Sequence, residues 1–222
     1  MPRRLTPLVN NEFYHLFNRG VNKQEIFTIK SDYKRAKIYL ELYKYNYDKH
    51  LRYSKLRVLP NDEIMRRFTA MKNSPRSVDI ISYCLMPNHF HLLLRQNTDN
   101  GISRFLSNFQ NSYARFYNTK YKRIGPLWQG AFKAVHIGSD RQLLHVSRYI
   151  HLNPYSSALV KGIETLLDYQ WSSFPEYVFP SGDFCEKEII LNQYKREKYK
   201  NFVLDRRDYQ RSLEYIKKHL ID

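Results

Sequence analysis

Cysteine is nearly absent. Cys84 and Cys185 are the whole complement of a 222-residue chain, far apart and at no metal-ligand spacing. That excludes a disulfide-stapled scaffold and a cysteine-ligated zinc module, so two reduced, buried thiols are expected. Long apolar runs are missing too: none approaches the ~20 residues of a membrane span. The N-terminus is basic but has no apolar core, so no signal peptide is read. A cytoplasmic, nucleoid-associated location with no membrane partner is the expectation. Carboxylates are scarce, 21 Asp and Glu against 37 Lys and Arg, giving a net charge of +16 and a pI near 9.7. There is no internal repeat and no low-complexity segment.

What is plentiful complements these absences. Nineteen Tyr and 13 Phe accompany the excess of cations. Cations displace the counterions of phosphates and flat rings stack on unpaired bases, so nucleic acid is the expected partner and no small-molecule substrate is read. Hydrophobic residues make up 42% and mean hydropathy is −0.65, values of a folded, soluble domain.

Residues 12–19 (EFYHLFNR) alternate like a strand, with Phe13, His15 and Phe17 on one face and Tyr14, Leu16 and Asn18 on the other. Gly20 ends it, and 32–47 has helical spacing. Residues 49–76 hold eight Lys and Arg against Asp62 and Glu63 and read as a basic insertion. Within it, Asn61-Asp62-Glu63 can start a short helix through Met71. Residues 78–85 and 89–95 are strands joined by the tight turn Met86-Pro87-Asn88, an antiparallel hairpin. A helix follows over 102–117, a strand over 131–137, and a helix capped by Ser139-Asp140 that Asn153-Pro154 should end near Leu152. The order predicts an α+β domain, a ferredoxin-like or RRM-like antiparallel sheet with helices on one face. It is assigned to residues 1–160, leaving 161–222 as a basic, helical C-terminal extension. In that extension Trp171, Phe174, Tyr177 and Phe179 should pack onto the core, and 195–218 should be a terminal helix.

The chemistry-bearing residues are few. In a strand, His89 and His91 point to one face about 6–7 Å apart and can converge on a cation, while Phe90 anchors the other face. On the last helix of the domain, Tyr149 and Asn153 are i and i+4. A ligand at Asn153 would place a cation one turn from the Tyr149 hydroxyl. The alternative is a packing tyrosine and a C-capping asparagine. His15 or His136 could complete a three-histidine zinc centre. His145 and His151 read as surface residues. Tyr113 and Tyr117 are rival nucleophiles, and Trp128 reads as core. Arg19, Arg115, Arg123, Lys133 and Arg148 are candidate phosphate contacts.

Taken together these segments resemble a known family. The motif HFH at 89–91 is similar to the His-hydrophobe-His signature of the HUH endonucleases. The phrases FYHLFNRGVNKQEIF (13–27), YCLMPNHFHLLL (83–94), GPLWQGAFKA (125–134) and RYIHLNP (148–154) resemble, in order and spacing, the REP-associated tyrosine transposases. Those belong to the single-tyrosine, IS200-like HUH transposases. The resemblance spans roughly Phe13 to Val160. It implies Tyr149 as nucleophile, His89, His91 and Asn153 as ligands of Mg²⁺ or Mn²⁺, and nicking and joining of single-stranded DNA beside hairpins through a 5′-phosphotyrosine link. Asn153 stands where many relatives carry Gln. The wider group implies a dimer and the REP-associated branch a monomer, so both remain open. The alternatives are a hairpin-binding DNA or RNA module without catalysis, and a metallo-hydrolase using activated water.

Overall fold

The computed structural model describes residues 7–46, 61–180 and 182–205. Four strands, β1 (Phe13–Arg19), β2 (Val78–Met86), β3 (His89–Gln96) and β4 (Lys133–Ile137), form one antiparallel sheet in the order β2-β3-β1-β4. Helix α1 (Lys30–Tyr43) links β1 to β2, and α3 (Gly101–Lys120) links β3 to β4. This is the split β-α-β connectivity expected from the sequence. Within the basic insertion, α2 (Asn61–Lys72) forms where the acidic start predicted a helix. The remainder of that insertion, 49–60, and the predicted terminal helix beyond 205 lie outside the described residues.

The alternation of β1 decides what each sheet face packs against. Tyr14 and Leu16 join Phe90, Leu92 and Leu94 in a core with Phe105, Phe109 and Tyr113 of α3 and Ala36 and Leu40 of α1. Trp128 belongs to this core as expected, and its indole donates to the Gln110 carbonyl at 2.9 Å. The opposite face carries Leu93, Cys84 and Ile137, and packs on α4 (Asp140–Ser156) through Leu143, Val146 and Ile150. Helices therefore cover both faces, not one as the element order suggested. The two crossover helices share a face, and the last helix returns to the other. A register shift between Ile80 and Ser82 in β2 reverses the alternation, so that Val78 and Ile80 before it and Tyr83 and Leu85 after it enter the same core.

The segment after α4 is drawn into this second core. Ile163 and Leu166 of a 3₁₀ turn (Ile163–Asp168), Phe174 and Tyr177 of α5 (Phe174–Val178), Ile190 of α6 (Glu188–Leu191) and Tyr199 and Val203 of α7 (Arg196–Leu204) are all buried there. Of the four aromatics expected to pack, Phe174 and Tyr177 are fully buried and Trp171 stacks on Tyr33 at 4.6 Å. Phe179 is half exposed. Both cysteines are free and buried. No described helix is long and apolar enough to cross a membrane.

Asp32 shows how α1 is started. Its buried carboxylate accepts from the backbone N–H groups of Thr28 and Ile29, from the Tyr121 hydroxyl at 2.8 Å, and from Lys120. Asp32→Ala would leave these donors without their acceptor, so about 3 kcal/mol of stability should be lost in denaturant unfolding. A loss below about 1 kcal/mol would contradict the network's role.

Candidate active site

Strand register builds the site. His89 and His91 sit on β3, an interior strand, with Arg19 paired across from His89 and Phe17 across from His91. Odd-numbered residues of β1 and β3 share the face that α4 covers, so Phe17, His91, His89 and Arg19 form one floor. Lys133 of β4 pairs with Phe17, and its ammonium lies 5.9 Å from the Phe17 ring centre. The turn before His89 is held from outside. Ile26 and Phe27 donate to the Pro87 carbonyl, and the Gly20 N–H donates to that of Asn88 at 2.8 Å. Gly20 has to be glycine: a Cβ there would stand 2.5 Å from the Gln24 carbonyl oxygen.

From the other side, α4 begins at Ser139, whose hydroxyl accepts from the Gln142 N–H, and delivers the half-buried Tyr149 to this floor. The Tyr149 ring meets His91 edge-on at 5.5 Å and His15 at 5.8 Å. The His89 and His91 rings are 5.0 Å apart. The side chains read from sequence as nucleophile and ligand pair are thus brought together. Asn153, one turn on, is buried, and its Nδ2 donates to the Tyr149 carbonyl at 2.8 Å, which leaves Oδ1 as the atom that could meet a cation. The helix does not stop at Asn153-Pro154 but runs to Ser156. Proline in the last turn removes a single intrahelical bond, and Ser157 still donates to the Asn153 carbonyl.

Electrostatics suit a cation. Burial lowers the His89 pKa to about 4, with Arg19 adding to the effect. Burial takes His91 well below the usual imidazole value, helped by His15, His89 and Arg19. Both rings are therefore neutral at pH 7, the state that binds metal. Each engages Nδ1: His91 with Nε2 of His15 at 2.9 Å, His89 with Oδ1 of Asn88 at 2.6 Å. Nε2 is then what each has left for a ligand, the usual division of labour in a metal-bound histidine. Among the described residues no set of three His, Cys, Asp or Glu converges on one point. A cation here would need the Asn153 amide and substrate or solvent oxygens to complete its shell.

Other sequence expectations are corrected. The three-histidine zinc centre does not form. His15 bonds to a nitrogen of His91 instead of standing beside it, and His136 pairs with Glu12 at 2.8 Å. Arg148 cannot contact phosphate: it is fully buried, donates to the Asp205 carbonyl and stacks on Phe202 at 4.7 Å. His151 is not a surface residue either. It is fully buried, with Nε2 2.8 Å from the Ser173 hydroxyl and Nδ1 2.8 Å from the Tyr199 hydroxyl. His145 packs against Phe202. Tyr113 and Tyr117 are removed as rivals, since they lie under the other sheet face and donate to the carbonyls of Ile26 and Glu25. Arg115 is exposed on α3, in the layer across the sheet from the histidines. Arg123, in the turn after α3, is held by the Asn118 side-chain oxygen at 3.2 Å. Sequence reading missed Asn88 as a partner of His89. The signal was its place beside His89 in a turn that had to be rigid.

Residues 52–153 match the family described as "Transposase IS200 like". That span contains His89, His91, Tyr149 and Asn153. Among solved structures, a REP-associated tyrosine transposase bound to a REP hairpin superposes with a TM-score of 0.53 at 16% identity, covering 84% of this chain and 94% of that one. A putative transposase from Deinococcus radiodurans R1 gives a TM-score of 0.37 at 13% identity, over 67% of this chain and 95% of that one. No curated protein sequence matches. Residues 52–153 are thus similar to the IS200-like transposase family, and the chain has the fold of a REP-associated tyrosine transposase.

Proposed function

We propose that the chain is an HUH-type tyrosine transposase of the REP-associated branch, which nicks and rejoins single-stranded DNA next to hairpins. The observation that carries this reading is the packing of the Tyr149 ring against His91, whose neighbour on the same strand face is His89. Tyr149 is the nucleophile. Its oxygen attacks the scissile phosphorus and its proton departs. The bond from phosphorus to the 3′-oxygen breaks, and that oxygen takes up a proton as a free 3′-hydroxyl. The 5′-phosphate remains on Tyr149, and a later 3′-hydroxyl can reverse the step and join strands. His89, His91 and Asn153 would hold Mg²⁺ or Mn²⁺, which when bound polarises the phosphate and offsets charge on its oxygens.

Arg19 and Lys133 rim the same face and hold the flanking phosphates, while Arg115 and Arg123 serve DNA outside it. Hairpin DNA is the proposed partner because a neighbour of the same fold is bound to one, and the net charge of +16 suits it. Such a protein works on DNA in the cytoplasm, at the nucleoid.

The test uses Mn²⁺, the full chain and hairpin oligonucleotides carrying single-stranded flanks, labelled at one end or the other. The 3′-end label should appear on protein in a denaturing gel, and the 5′-end label on a shorter free strand. Cleavage that leaves both labels free would turn the reading toward water-mediated hydrolysis. Arg19→Ala and Lys133→Ala should each weaken hairpin binding and lower the salt slope by about 1. An unchanged slope in both would remove them from the phosphate path.

A further inference from the structure

His15 approaches the site from behind. It is fully buried on β1, and its Nε2 lies 2.9 Å from Nδ1 of His91. Its other nitrogen, Nδ1, is buried with no partner among the described residues. A side chain kept only for packing at such a position would be apolar, because an unpaired buried polar atom costs free energy. The fold tolerates that orphan nitrogen and in return places the other one against His91.

The neighbouring ligand shows what such a contact does. The Asn88 amide is oriented by its Nδ2, which donates to the Lys23 carbonyl at 3.1 Å, so Oδ1 is the atom facing His89. A carbonyl oxygen can only accept. His89 must therefore carry its proton on Nδ1 and keep the lone pair on Nε2. His91 needs the same tautomer if both rings are to address one cation. Its partner is an imidazole, which can accept at Nε2, and with Nδ1 unpartnered nothing else fixes the tautomer of His15.

We propose that His15 is a positioning residue of the metal site: its Nε2 accepts the Nδ1–H of His91 and so turns the Nε2 lone pair of His91 to the cation. This rests on the reading of His89 and His91 as ligands. His15 itself touches neither cation nor DNA. The two ligands are then oriented by different means, one by an amide locked to a carbonyl, the other by a second imidazole that follows the state of the first.

Mn²⁺ affinity of the full chain, measured by electron paramagnetic resonance of the free ion, tests this without reference to cleavage. His15→Phe, which keeps a ring but has no acceptor, should weaken Mn²⁺ binding roughly 10- to 100-fold. His15→Gln, whose amide oxygen can stand in for Nε2, should restore most of the affinity. In Mg²⁺-loaded wild type, ¹⁵N correlation spectra should find a proton on Nδ1 of His91 and none on Nε2 of His15. Unchanged affinity in His15→Phe, or a proton on Nε2 of His15, overturns the proposal. If His15→Phe fails to fold, the wild-type spectra decide. Wild type that binds no Mn²⁺, or binds it undiminished as His91→Ala, removes the ligand reading and this proposal with it.

Discussion

Tyr149→Phe should abolish the protein–DNA adduct while leaving hairpin binding intact. The substitution removes one oxygen and keeps the ring. That ring is the part that meets His91 at 5.5 Å and His15 at 5.8 Å, so the helix should stay seated. What disappears is the oxygen proposed to take the phosphate, and with it the covalent step. Losing a nucleophile costs on the order of 10³-fold or more in rate, so no shifted band should appear within any practical incubation. Binding of uncleaved hairpin, followed by anisotropy, should stay within about twofold, because affinity comes from phosphate contacts and not from the phenol. An adduct formed by Tyr149→Phe at the wild-type rate would assign the chemistry to another side chain. Tyr113 and Tyr117 could not inherit it without repacking the core beneath the opposite sheet face.

The His pair was legible because it depends on local geometry, whereas Tyr149 was singled out by the resemblance of RYIHLNP to a known family. Strand alternation puts His89 and His91 together whatever surrounds them, and Phe90 on the far side confirms the period. Capping at Ser139 was legible for the same reason. The side on which α4 packs was not. An amphipathic helix declares that it has an apolar face but not which sheet face receives it, and that choice is made by Ile81, Cys84 and Leu93 acting together. Arg148 and His151 were misread because polarity was taken for exposure. Their partners, Asp205, Phe202, Ser173 and Tyr199, lie 22 to 57 residues further along the chain. No local pattern announces them. His15 was one of two histidines, with His136, weighed as the third ligand of an alternative zinc centre. It lies where that reading needed it, but bonded to a ligand's nitrogen, a distinction that only the cross-strand register makes.

The same buried imidazoles should make the metal-free protein sensitive to mild acid. Burial lowers the pKa of His15 and of His151 to about 3, from an ordinary value of 6.5. In the folded state both stay neutral, whereas in the unfolded chain both take up protons below pH 6.5. Their contribution is therefore complete above pH 6.5 and is lost as pH falls toward 3. At pH 5 each has forfeited about 2 kcal/mol, from 1.36 kcal/mol per pH unit below the unfolded value. His91 and His89 are shifted in the same direction and add to the loss. A domain's whole stability is about 5–15 kcal/mol, so unfolding somewhere between pH 6 and pH 4.5 is expected. Denaturant titrations followed by circular dichroism between pH 7.5 and 4.5 measure it. His151→Gln should be less stable than wild type at pH 7.5, since the imidazole bridges Ser173 and Tyr199. Its loss on acidification should be smaller by about 2 kcal/mol. A stability that stays level from pH 7.5 to pH 5 would mean that water reaches these rings. Bound Mn²⁺ should shift the transition to lower pH, because protons and metal compete for the same nitrogens.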